Sequence, residues 1–195
     1  MNPFDLSNKV ICVTGASSGI GRQCAVSCSR MGATVVLLAR NEQRLHETLS
    51  IMDNPDKHVI IPVDLTEYAT VELVVKNIVS QVGRISGVLH CAGISTTLPL
   101  KLVTPEKLDE FFQVNVFSAY NLTREVCKMG NFSKEGGSIV FFSSVMGKVG
   151  ENGKSLYGMT KGALVSGTRS LACELAKKKI RVNTVSPGVV ITPIN

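Results

Sequence analysis

Two side chains with acid–base chemistry, Tyr157 and Lys161, lie four positions apart in a segment with helical spacing. A helix places residues four apart on one face, so the phenol and the ammonium would be neighbours. A free tyrosine has a pKa of about 10, and this must shift by roughly 3 units, or about 4 kcal/mol, for proton exchange near neutral pH. Because an ammonium stabilises the phenolate, Lys161 would supply much of that shift. The pair is a candidate proton-transfer site.

Two polar residues elsewhere support this interpretation, since a Tyr and Lys pair alone is more often an ordinary pair on a helix surface. Ser144 follows an apolar segment, and a hydroxyl at a strand end is positioned to hydrogen-bond a substrate carbonyl. Asn115 lies between two valines on a predicted buried helix, where its amide needs hydrogen-bond partners. It is predicted to hold a water that relays protons to Lys161.

A glycine-rich turn near the N-terminus is typical of a phosphate cradle. Residues 14–21 read Thr-Gly-Ala-Ser-Ser-Gly-Ile-Gly and connect a predicted strand to a helix. Gly15 permits the tight turn, Gly19 lets the backbone approach a pyrophosphate, and Gly21 allows close helix packing. Ser17 and Ser18 add hydroxyl donors. A purely structural turn is the alternative, but the strand, turn and helix context favours a bound dinucleotide.

The second predicted strand ends with a cation instead of an acid. NAD enzymes of this architecture carry a carboxylate there, which binds the adenosine ribose hydroxyls. Here the strand ends with Arg40, whose guanidinium would pair with a 2′-phosphate through charge-assisted hydrogen bonds. The alternative is that Arg40 is solvated and that Asn41 only caps the next helix. We predict NADP(H) over NAD, with both residues in the cofactor site.

The next two strand ends complete the predicted cofactor site. Asp64 and Leu65 follow the third strand, where the carboxylate would reach an adenine amino group, and Thr66 is predicted to cap the following helix. After the fourth strand, Ala92 and Gly93 are small enough for a flat ligand to lie against the backbone.

These residues are positioned by a predicted α/β fold. Short β-branched runs alternate with longer segments of helical period, which predicts a doubly wound parallel sheet of the Rossmann type in a single domain, residues 1–195. Thr104 is predicted to cap a helix that begins at Pro105. Six strands are predicted, at residues 10–14, 34–39, 58–62, 87–90, 138–143 and 181–185.

The first helix is predicted to pack on the sheet through an apolar stripe. Ile20, Cys24, Cys28 and Met31 recur at helical spacing, and Gly32 follows as a predicted C-cap.

The order and spacing of these motifs resemble the short-chain dehydrogenase/reductase family, including its 3-oxoacyl-acyl-carrier-protein reductase-like members. The resemblance runs through nearly the whole chain, at residues 14–21, 64, 92–93, 115, 144, 157, 161 and 187–192. It implies an oxidoreductase that transfers a hydride between NADP(H) and a carbonyl or alcohol substrate. The substrate class stays open among a fatty 3-oxoacyl thioester, a sugar or polyol, a steroid and a small ketone. Reduction is the expected direction.

The resemblance also implies a role for each residue of the active site. Tyr157 would be the general acid/base, and Lys161 would lower its pKa and bind the nicotinamide ribose. Ser144 would orient the carbonyl, and Asn115 would complete a proton relay. The cofactor set implied by the turn and the resemblance together is Gly15, Ser17, Ser18, Gly19, Ile20, Gly21, Arg40, Asn41, Asp64, Leu65, Ala92, Gly93, Tyr157, Lys161, Val190 and Thr192.

Two details of the resemblance concern the nicotinamide end. The backbone of Val190 and the hydroxyl of Thr192 would hold the carboxamide. His90 and Cys91 stand where the family usually has two asparagines before Ala-Gly, so the hydrogen bonding at that strand end is expected to differ.

Family members usually continue past residue 195 into a substrate-covering segment and a last strand, so we expect this strand to be absent here. An unpaired edge and apolar surface would follow, and a homo-oligomer is expected if those elements are supplied. This leaves a second function class open, an NADP(H)-binding sensor or scaffold without turnover.

Composition excludes other classes. The net charge of +6 is concentrated at Lys177, Lys178, Lys179 and Arg181, where a predicted helix ends and cations complement its dipole, so we expect no nucleic-acid partner. The N-terminus carries no leader-like segment, which predicts a cytoplasmic protein without a membrane partner. The six cysteines are then expected to be reduced, Asn121 and Asn131 to be unglycosylated, and no metal site is assigned.

Overall fold

The computed structural model describes residues 4–193, and these form one parallel sheet with helices on both faces. The strands lie in the order β3-β2-β1-β4-β5-β6, and every neighbouring pair is parallel. This confirms the predicted doubly wound α/β fold. The strands are β1 (Val10–Thr14), β2 (Thr34–Ala39), β3 (Val59–Pro62), β4 (Gly87–His90), β5 (Gly137–Phe142) and β6 (Ile180–Val185).

The helices connect these strands by crossovers. Thr104 caps α4 as predicted, with its hydroxyl oxygen accepting from the Lys107 amide at 3.3 Å, and Gly32 follows the end of α1 with φ of +90°. A π-helical turn, Gln113–Phe117, joins two helices. The α-helices are α1 (Gly19–Arg30), α2 (Glu42–Ser50), α3 (Tyr68–Gln81), α4 (Pro105–Phe112), α5 (Ser118–Val126) and α6 (Ser155–Leu175).

The core lies on both faces of the sheet because neighbouring strand residues point to opposite sides. In β1, Cys12 belongs to the cluster that packs against α3, α5 and α6, whereas Val13 belongs to the cluster that packs against α1 and α2. Each fully buried aliphatic side chain contributes about 1.5–3 kcal/mol. Two packed faces fix the sheet, and with it the edge where all six strands end.

The predicted apolar stripe of α1 is wrong in its orientation. The buried residues of this helix are Gly21, Ala25, Val26 and Ser29, whereas Met31 is exposed. The small residues Gly21 and Ala25 let the helix axis approach β1 closely, so this face is preferred over the bulkier one. Of the predicted stripe, Cys24 and Cys28 are only partly buried beside the core.

Four strand ends, in three of the strands, differ by one residue from the predicted bounds. β3 begins at Val59, and the Nδ1 of the preceding His58 accepts a hydrogen bond from the Val35 amide at 3.1 Å. β5 spans residues 137–142, so Ser143 lies just beyond it. β6 begins at Ile180, one residue before the predicted start.

The predicted cap at Thr66 is also wrong. Its amide and its hydroxyl both donate to Asp64 Oδ1, at 3.0 and 2.7 Å, and α3 begins two residues later at Tyr68. Thr66 therefore hydrogen-bonds the Asp64 carboxylate and does not cap α3.

Candidate active site

A cavity of about 740 Å³ lies along the carboxyl ends of the strands, where ligands bind in doubly wound sheets. Thirteen of the predicted cofactor residues line it: Gly15, Ser17, Ser18, Gly19, Ile20, Gly21, Arg40, Asn41, Asp64, Leu65, Ala92, Gly93 and Thr192. Val190, Tyr157 and Lys161 are not among the lining residues, and neither are Ser144 and Asn115. The lining also includes Arg44, Val114 and Ser118, which the sequence reasoning missed.

The glycine turn, residues 14–21, has the backbone that its glycines predict. Gly15 and Gly19 have φ of +64° and +52°, in the region that disfavours other residues. A Cβ on Gly21 would lie 2.2 Å from the Gly15 carbonyl oxygen, so only glycine lets α1 start this close to β1. The start of α1 therefore faces the cavity with free backbone donors, which suits an anionic group.

Arg22 holds the glycine turn in place through side-chain hydrogen bonds. One of its terminal nitrogens donates to the Ser17 carbonyl at 2.7 Å, and its Nε donates to the Thr48 hydroxyl at 3.0 Å. Thr48 in turn donates to the Ala16 carbonyl at 2.8 Å. These bonds tie the turn to α2. The sequence reasoning missed both residues, because the two are far apart in the chain and meet only in the fold.

The ends of β2 and β3 bring opposite charges together. The guanidinium of Arg40 lies 3.8 Å from Asp64 Oδ2. Burial tends to raise the pKa of Asp64, but hydrogen bonds from Thr66 and the charge of Arg40 outweigh it and hold this pKa below its usual value. Asn41 caps α2, with its Oδ1 accepting from the Arg44 amide at 2.9 Å. Arg40 and Arg44 thus supply two exposed cations at this end of the cavity.

The catalytic residues predicted from the sequence meet at the other end of the same edge. Lys161 Nζ lies 5.6 Å from the centroid of the Tyr157 ring, so the two side chains do share one face of α6. Ser144 hydrogen-bonds the Tyr157 hydroxyl and also caps the short 3₁₀ turn, residues 145–147, by accepting from the Met146 amide at 3.2 Å. A phenol, a hydroxyl and an ammonium are therefore adjacent.

The buried ammonium of Lys161 is held by backbone. It donates to the Phe142 carbonyl at the end of β5 at 2.9 Å, and the Lys161 carbonyl accepts from the Ser143 hydroxyl at 2.7 Å. The two adjacent serines thus have different partners. Ser143 hydrogen-bonds the backbone of Lys161, and Ser144 hydrogen-bonds Tyr157. A Cβ on Gly93 would meet Lys161 Nζ at 3.3 Å, so glycine at this position leaves room for the ammonium.

Asn115 lies buried in the π-helical turn with most of its hydrogen-bonding capacity used. Its Oδ1 accepts from the Ile94 amide at 2.7 Å, and its Nδ2 donates to the Ile94 carbonyl and to the Thr160 hydroxyl, each at 3.0 Å. Thr160 donates onward to the Tyr157 carbonyl at 2.8 Å. One lone pair of Oδ1 remains for a relay water. Asn115 is joined to the tyrosine backbone through Thr160, which the sequence reasoning missed.

The electrostatics of the tyrosine differ from the expected direction. Burial raises the pKa of Tyr157, and the hydrogen bond with Ser144 offsets only part of that rise. Burial also lowers the pKa of Lys161 to about 8, with the nearby Cys91 thiol acting in the opposite direction. With these two shifts, the Tyr157 phenol is protonated at neutral pH, and the ammonium of the neighbouring Lys161 is still charged.

His90 belongs to the core and not to the cavity. Its Nε2 is 2.8 Å from the Thr123 hydroxyl, and its ring stacks on Phe141 with centroids 4.6 Å apart. Burial lowers its pKa to about 3, so the imidazole is neutral. Its neighbour Cys91 lines the cavity instead. The departure from the family pattern thus places one residue in the core and one in the site.

A second cavity, of about 480 Å³, adjoins the tyrosine. It is lined by Leu100, Met146, residues 149–155 and Gly158. Lys154 belongs to this lining and lies 5.9 Å above the Tyr157 ring while donating to the Thr96 carbonyl at 3.1 Å. Within residues 4–193, we find no group of three or more His, Cys, Asp or Glu placed to hold a metal ion. None of the helices in that range has the length and apolar character needed to cross a bilayer.

The sequence of this chain is similar to those of known proteins. The profile of the family described as short chain dehydrogenase matches residues 9–195. Similar sequences include cyclopentanol dehydrogenase of Comamonas testosteroni, 34% identical over 97% of this chain and 76% of the relative. The 3-oxoacyl-[acyl-carrier-protein] reductase of Thermotoga maritima is 32% identical, over 97% and 77% respectively. NADPH-dependent aldehyde reductase 1 of Arabidopsis thaliana is 34% identical, over 97% and 68%.

Solved structures show the same likeness. A dehydrogenase/reductase from Sinorhizobium meliloti superposes with a TM-score of 0.91 at 29% sequence identity, covering 98% of this chain and 76% of the other. A short-chain dehydrogenase from Streptomyces avermitilis gives a TM-score of 0.89 at 32% identity, covering 96% and 68%.

Proposed function

The chain belongs to the short-chain dehydrogenase family of oxidoreductases, and on that premise we propose that it reduces a carbonyl substrate with NADPH, using Tyr157 as the proton donor. The observation that carries the proposal is that Tyr157, Ser144 and Lys161 meet at the edge of the sheet where the cavity of about 740 Å³ lies, whose lining residues would suit a phosphorylated nucleotide. Members of this family use nicotinamide cofactors.

The residues of the cavity fit such a cofactor. The glycine turn lines the cavity, and the start of α1 supplies backbone donors and a positive dipole end for a pyrophosphate. Arg40 and Arg44 would hold a 2′-phosphate, Asp64 the adenine, and Ala92 and Gly93 the flat rings. When bound, NADPH would supply the hydride that a carbonyl carbon accepts.

Tyr157 is suited to the acid half of a reduction. Because burial raises its pKa, the phenol is protonated at neutral pH and can donate to a carbonyl oxygen that gains negative charge. Ser144, which already hydrogen-bonds this phenol, would donate a second bond to that oxygen. Lys161, 5.6 Å from the ring, would stabilise the phenolate that forms. Asn115 and Thr160 would hold the tyrosine backbone in place.

The preference for NADPH over NADH depends on the two arginines. Asp64 lies 3.8 Å from Arg40 and competes for its guanidinium, so Arg44 is needed as a second cation. We expect Arg40→Ala to raise the dissociation constant for NADPH roughly tenfold to a hundredfold, the range for a lost charge-assisted hydrogen bond, and to change that for NADH little. Arg169→Ala, at an exposed position on α6, is the matched control. Tighter binding of NADH than NADPH by the native chain would contradict the preference.

The substrate would enter the cavity beside Tyr157. Leu100, Met146 and Val149 give it apolar walls, and Lys154 adds one cation near the ring. A first panel follows from the names of the relatives: a cyclic ketone, an aldehyde and a 3-oxoacyl thioester.

The test of the proposal is NADPH oxidation with that panel, comparing the native chain with Tyr157→Phe. We expect turnover to fall by about 10²–10⁴-fold while NADPH binding, measured by fluorescence titration, is kept. Tyr120→Phe, at an exposed tyrosine on α5, is the control and should keep full activity. NADPH binding by the native chain without turnover on any substrate would favour a sensor or scaffold. Absence of NADPH binding would overturn the cofactor assignment.

A further inference from the structure

A second cation lies near the Tyr157 ring, in addition to Lys161. Lys154 comes three residues before the tyrosine, at the start of α6, and its Nζ lies 5.9 Å from the centroid of the ring. Lys154 lines the second cavity, of about 480 Å³, whereas Lys161 does not. Of the two lysines, Lys154 is therefore the one that a molecule in this cavity can contact.

Lys154 is held in place through both its main chain and its side chain. Its carbonyl accepts a bond from the Gly158 amide at 2.7 Å, in the first turn of α6. The preceding Gly153 carbonyl accepts from the Leu98 amide at 2.7 Å, and the Lys154 Nζ donates to the Thr96 carbonyl at 3.1 Å. The half-buried ammonium therefore has a defined position between the start of α6 and residues 96–98.

The Lys154 ammonium has hydrogen-bonding capacity to spare. An ammonium has three donors, and the neutral Thr96 carbonyl takes one of them. Among residues 4–193, none of the ion pairs includes Lys154. Glu151 is the one carboxylate in the lining of this cavity, and it is exposed. The cation is thus available to an anion that enters the cavity.

The electrostatics at this point also favour an anion. Lys154 directly precedes α6, where the positive end of the helix dipole disfavours a cation, and the first turn of α6 contains no acidic residue. A bound anion would offset the charge of the lysine and that of the dipole together. The apolar side chains of Leu100, Met146 and Val149 complete this part of the lining and suit the carbon chain of a small ligand.

We propose that Lys154 binds an anionic group of the substrate, and that the preferred substrates are carbonyl compounds with a carboxylate or phosphonate a few bonds from the carbonyl. This inference rests on the proposed function, because it requires the carbonyl to lie at the Tyr157 hydroxyl. With 5.9 Å between the ammonium and the ring centroid, one small molecule can contact both groups. Lys154 is then a specificity-determining residue, while Tyr157 remains the proton donor.

The experiment compares NADPH-dependent reduction of 4-oxopentanoate with that of its methyl ester, which differ in charge at one end. We expect the native chain to favour the acid by about tenfold in kcat/KM, and this acid-to-ester ratio to fall roughly tenfold to a hundredfold in Lys154→Met. Lys154→Arg keeps the charge and should restore most of the ratio. Glu151→Gln should raise the ratio, since it removes a like charge from the lining.

Lys148→Met is the matched control, because Lys148 is an exposed lysine of the same loop that does not line the cavity. It should keep the native ratio. An equal loss for acid and ester in Lys154→Met overturns the proposal, because loss of the Thr96 bond, or of a charge near Tyr157, affects both substrates alike. A native ratio of one, or a ratio unchanged in Lys154→Met, overturns it as well.

Binding measurements decide the inference even without turnover. In ligand-detected NMR titrations of the full chain, 4-oxopentanoate or 3-oxobutylphosphonate should bind about tenfold more tightly than the methyl ester, and this difference should disappear in Lys154→Met. The anion that binds more tightly shows whether a carboxylate or a phosphonate is preferred. Reduction of neutral ketones without a preference for the anions overturns the inference and leaves the proposed function standing. Absence of turnover on every compound contradicts the proposed function, and the titrations still decide the role of Lys154.

Discussion

The glycine turn and the catalytic cluster, which we define as Asn115, Ser144, Tyr157 and Lys161, lie at the same edge of the sheet but are built in different ways. The glycine turn is one continuous segment of eight residues, shaped by positive φ angles and by a backbone approach that only glycine permits. The catalytic cluster comes from three separate segments and is held by hydrogen bonds to backbone carbonyls and amides. The turn should therefore be sensitive to added atoms, and the cluster to lost bonds or charges.

The largest expected effect is steric and concerns the turn. In Gly21→Ala the new methyl would lie 2.2 Å from the Gly15 oxygen and 2.6 Å from its carbon, both backbone atoms. We expect the free energy of unfolding to fall by about 3 kcal/mol or more, with NADPH binding lost. Urea denaturation and fluorescence titration measure the two.

A glycine in the catalytic half provides the matched control for this substitution. Gly167 lies in α6, and among residues 4–193 no atom beyond its chain neighbours and its own stretch of helix backbone lies within 4 Å of the position that its Cβ would take. Gly167→Ala should raise the free energy of unfolding by about 0.5–1 kcal/mol, because alanine favours a helix. Equal effects of Gly21→Ala and Gly167→Ala on stability would show that the close backbone contact between Gly21 and Gly15 does not determine the conformation of the glycine turn.

The next largest effects are expected at two buried threonines, Thr48 beside the glycine turn and Thr168 in α6. Thr48→Val removes a donor to the Ala16 carbonyl and an acceptor for Arg22, so we expect a loss of about 1–3 kcal/mol in the free energy of unfolding. The hydroxyl of Thr168 in α6 is buried without a hydrogen-bond partner in the described part of the chain. Thr168→Val should stabilise the protein by about 1 kcal/mol. Thermal or urea unfolding measures the stability of both variants. A shift of both in the same direction would contradict the expected difference between the two threonines.

A pH profile tests the charge in the catalytic cluster. The pKa of Lys161 is lowered to about 8 by burial, so its ammonium loses the proton as the pH rises through that value. At pH 9 about one-tenth of the ammonium remains, and we expect kcat/KM for carbonyl reduction to be about tenfold lower than at pH 7. Lys161→Arg keeps its charge over this range and should flatten the profile, whatever its absolute rate. A flat profile in the native chain would exclude a role for the ammonium.

The smallest expected effect lies in the cofactor half, at His58. Burial lowers the pKa of this imidazole, with the hydrogen bond to the Asp53 carbonyl opposing the change. The folded protein therefore binds this proton less readily than the unfolded chain, whose imidazole takes up a proton below about pH 6.5. The contribution to stability is complete above that pH and decreases as the pH falls, by at most about 1.4 kcal/mol per pH unit.

Urea denaturation at pH 7.5 and 5.5 would measure this decrease. His58→Gln should lose less stability on acidification than the native chain, whereas His46→Gln, at an exposed position on α2, should behave like the native chain. Identical pH dependence of all three would exclude His58 as its source.

Most of the fold could be predicted because its patterns are local. Glycines at 15, 19 and 21, alternating strand and helix periods, and the Thr104 cap each follow from a few adjacent residues, and the structure places them as expected. The orientation of α1 could not be predicted from its apolar residues, because the approach of Gly21 and Ala25 to β1 outweighs the larger side chains. The Thr66 cap failed for a similar reason, since the nearby Asp64 carboxylate takes both of its donors.

By itself, the sequence determined which side chains are available for chemistry and at which edge of the sheet they lie, since strand ends follow from local patterns to within one residue and parallel strands end at the same edge. Only the tertiary structure decided their chemical state. The raised pKa of Tyr157 and the lowered pKa of Lys161 depend on burial and on neighbours from distant segments. Burial and proximity arise when the chain packs, so no spacing within one segment could specify them.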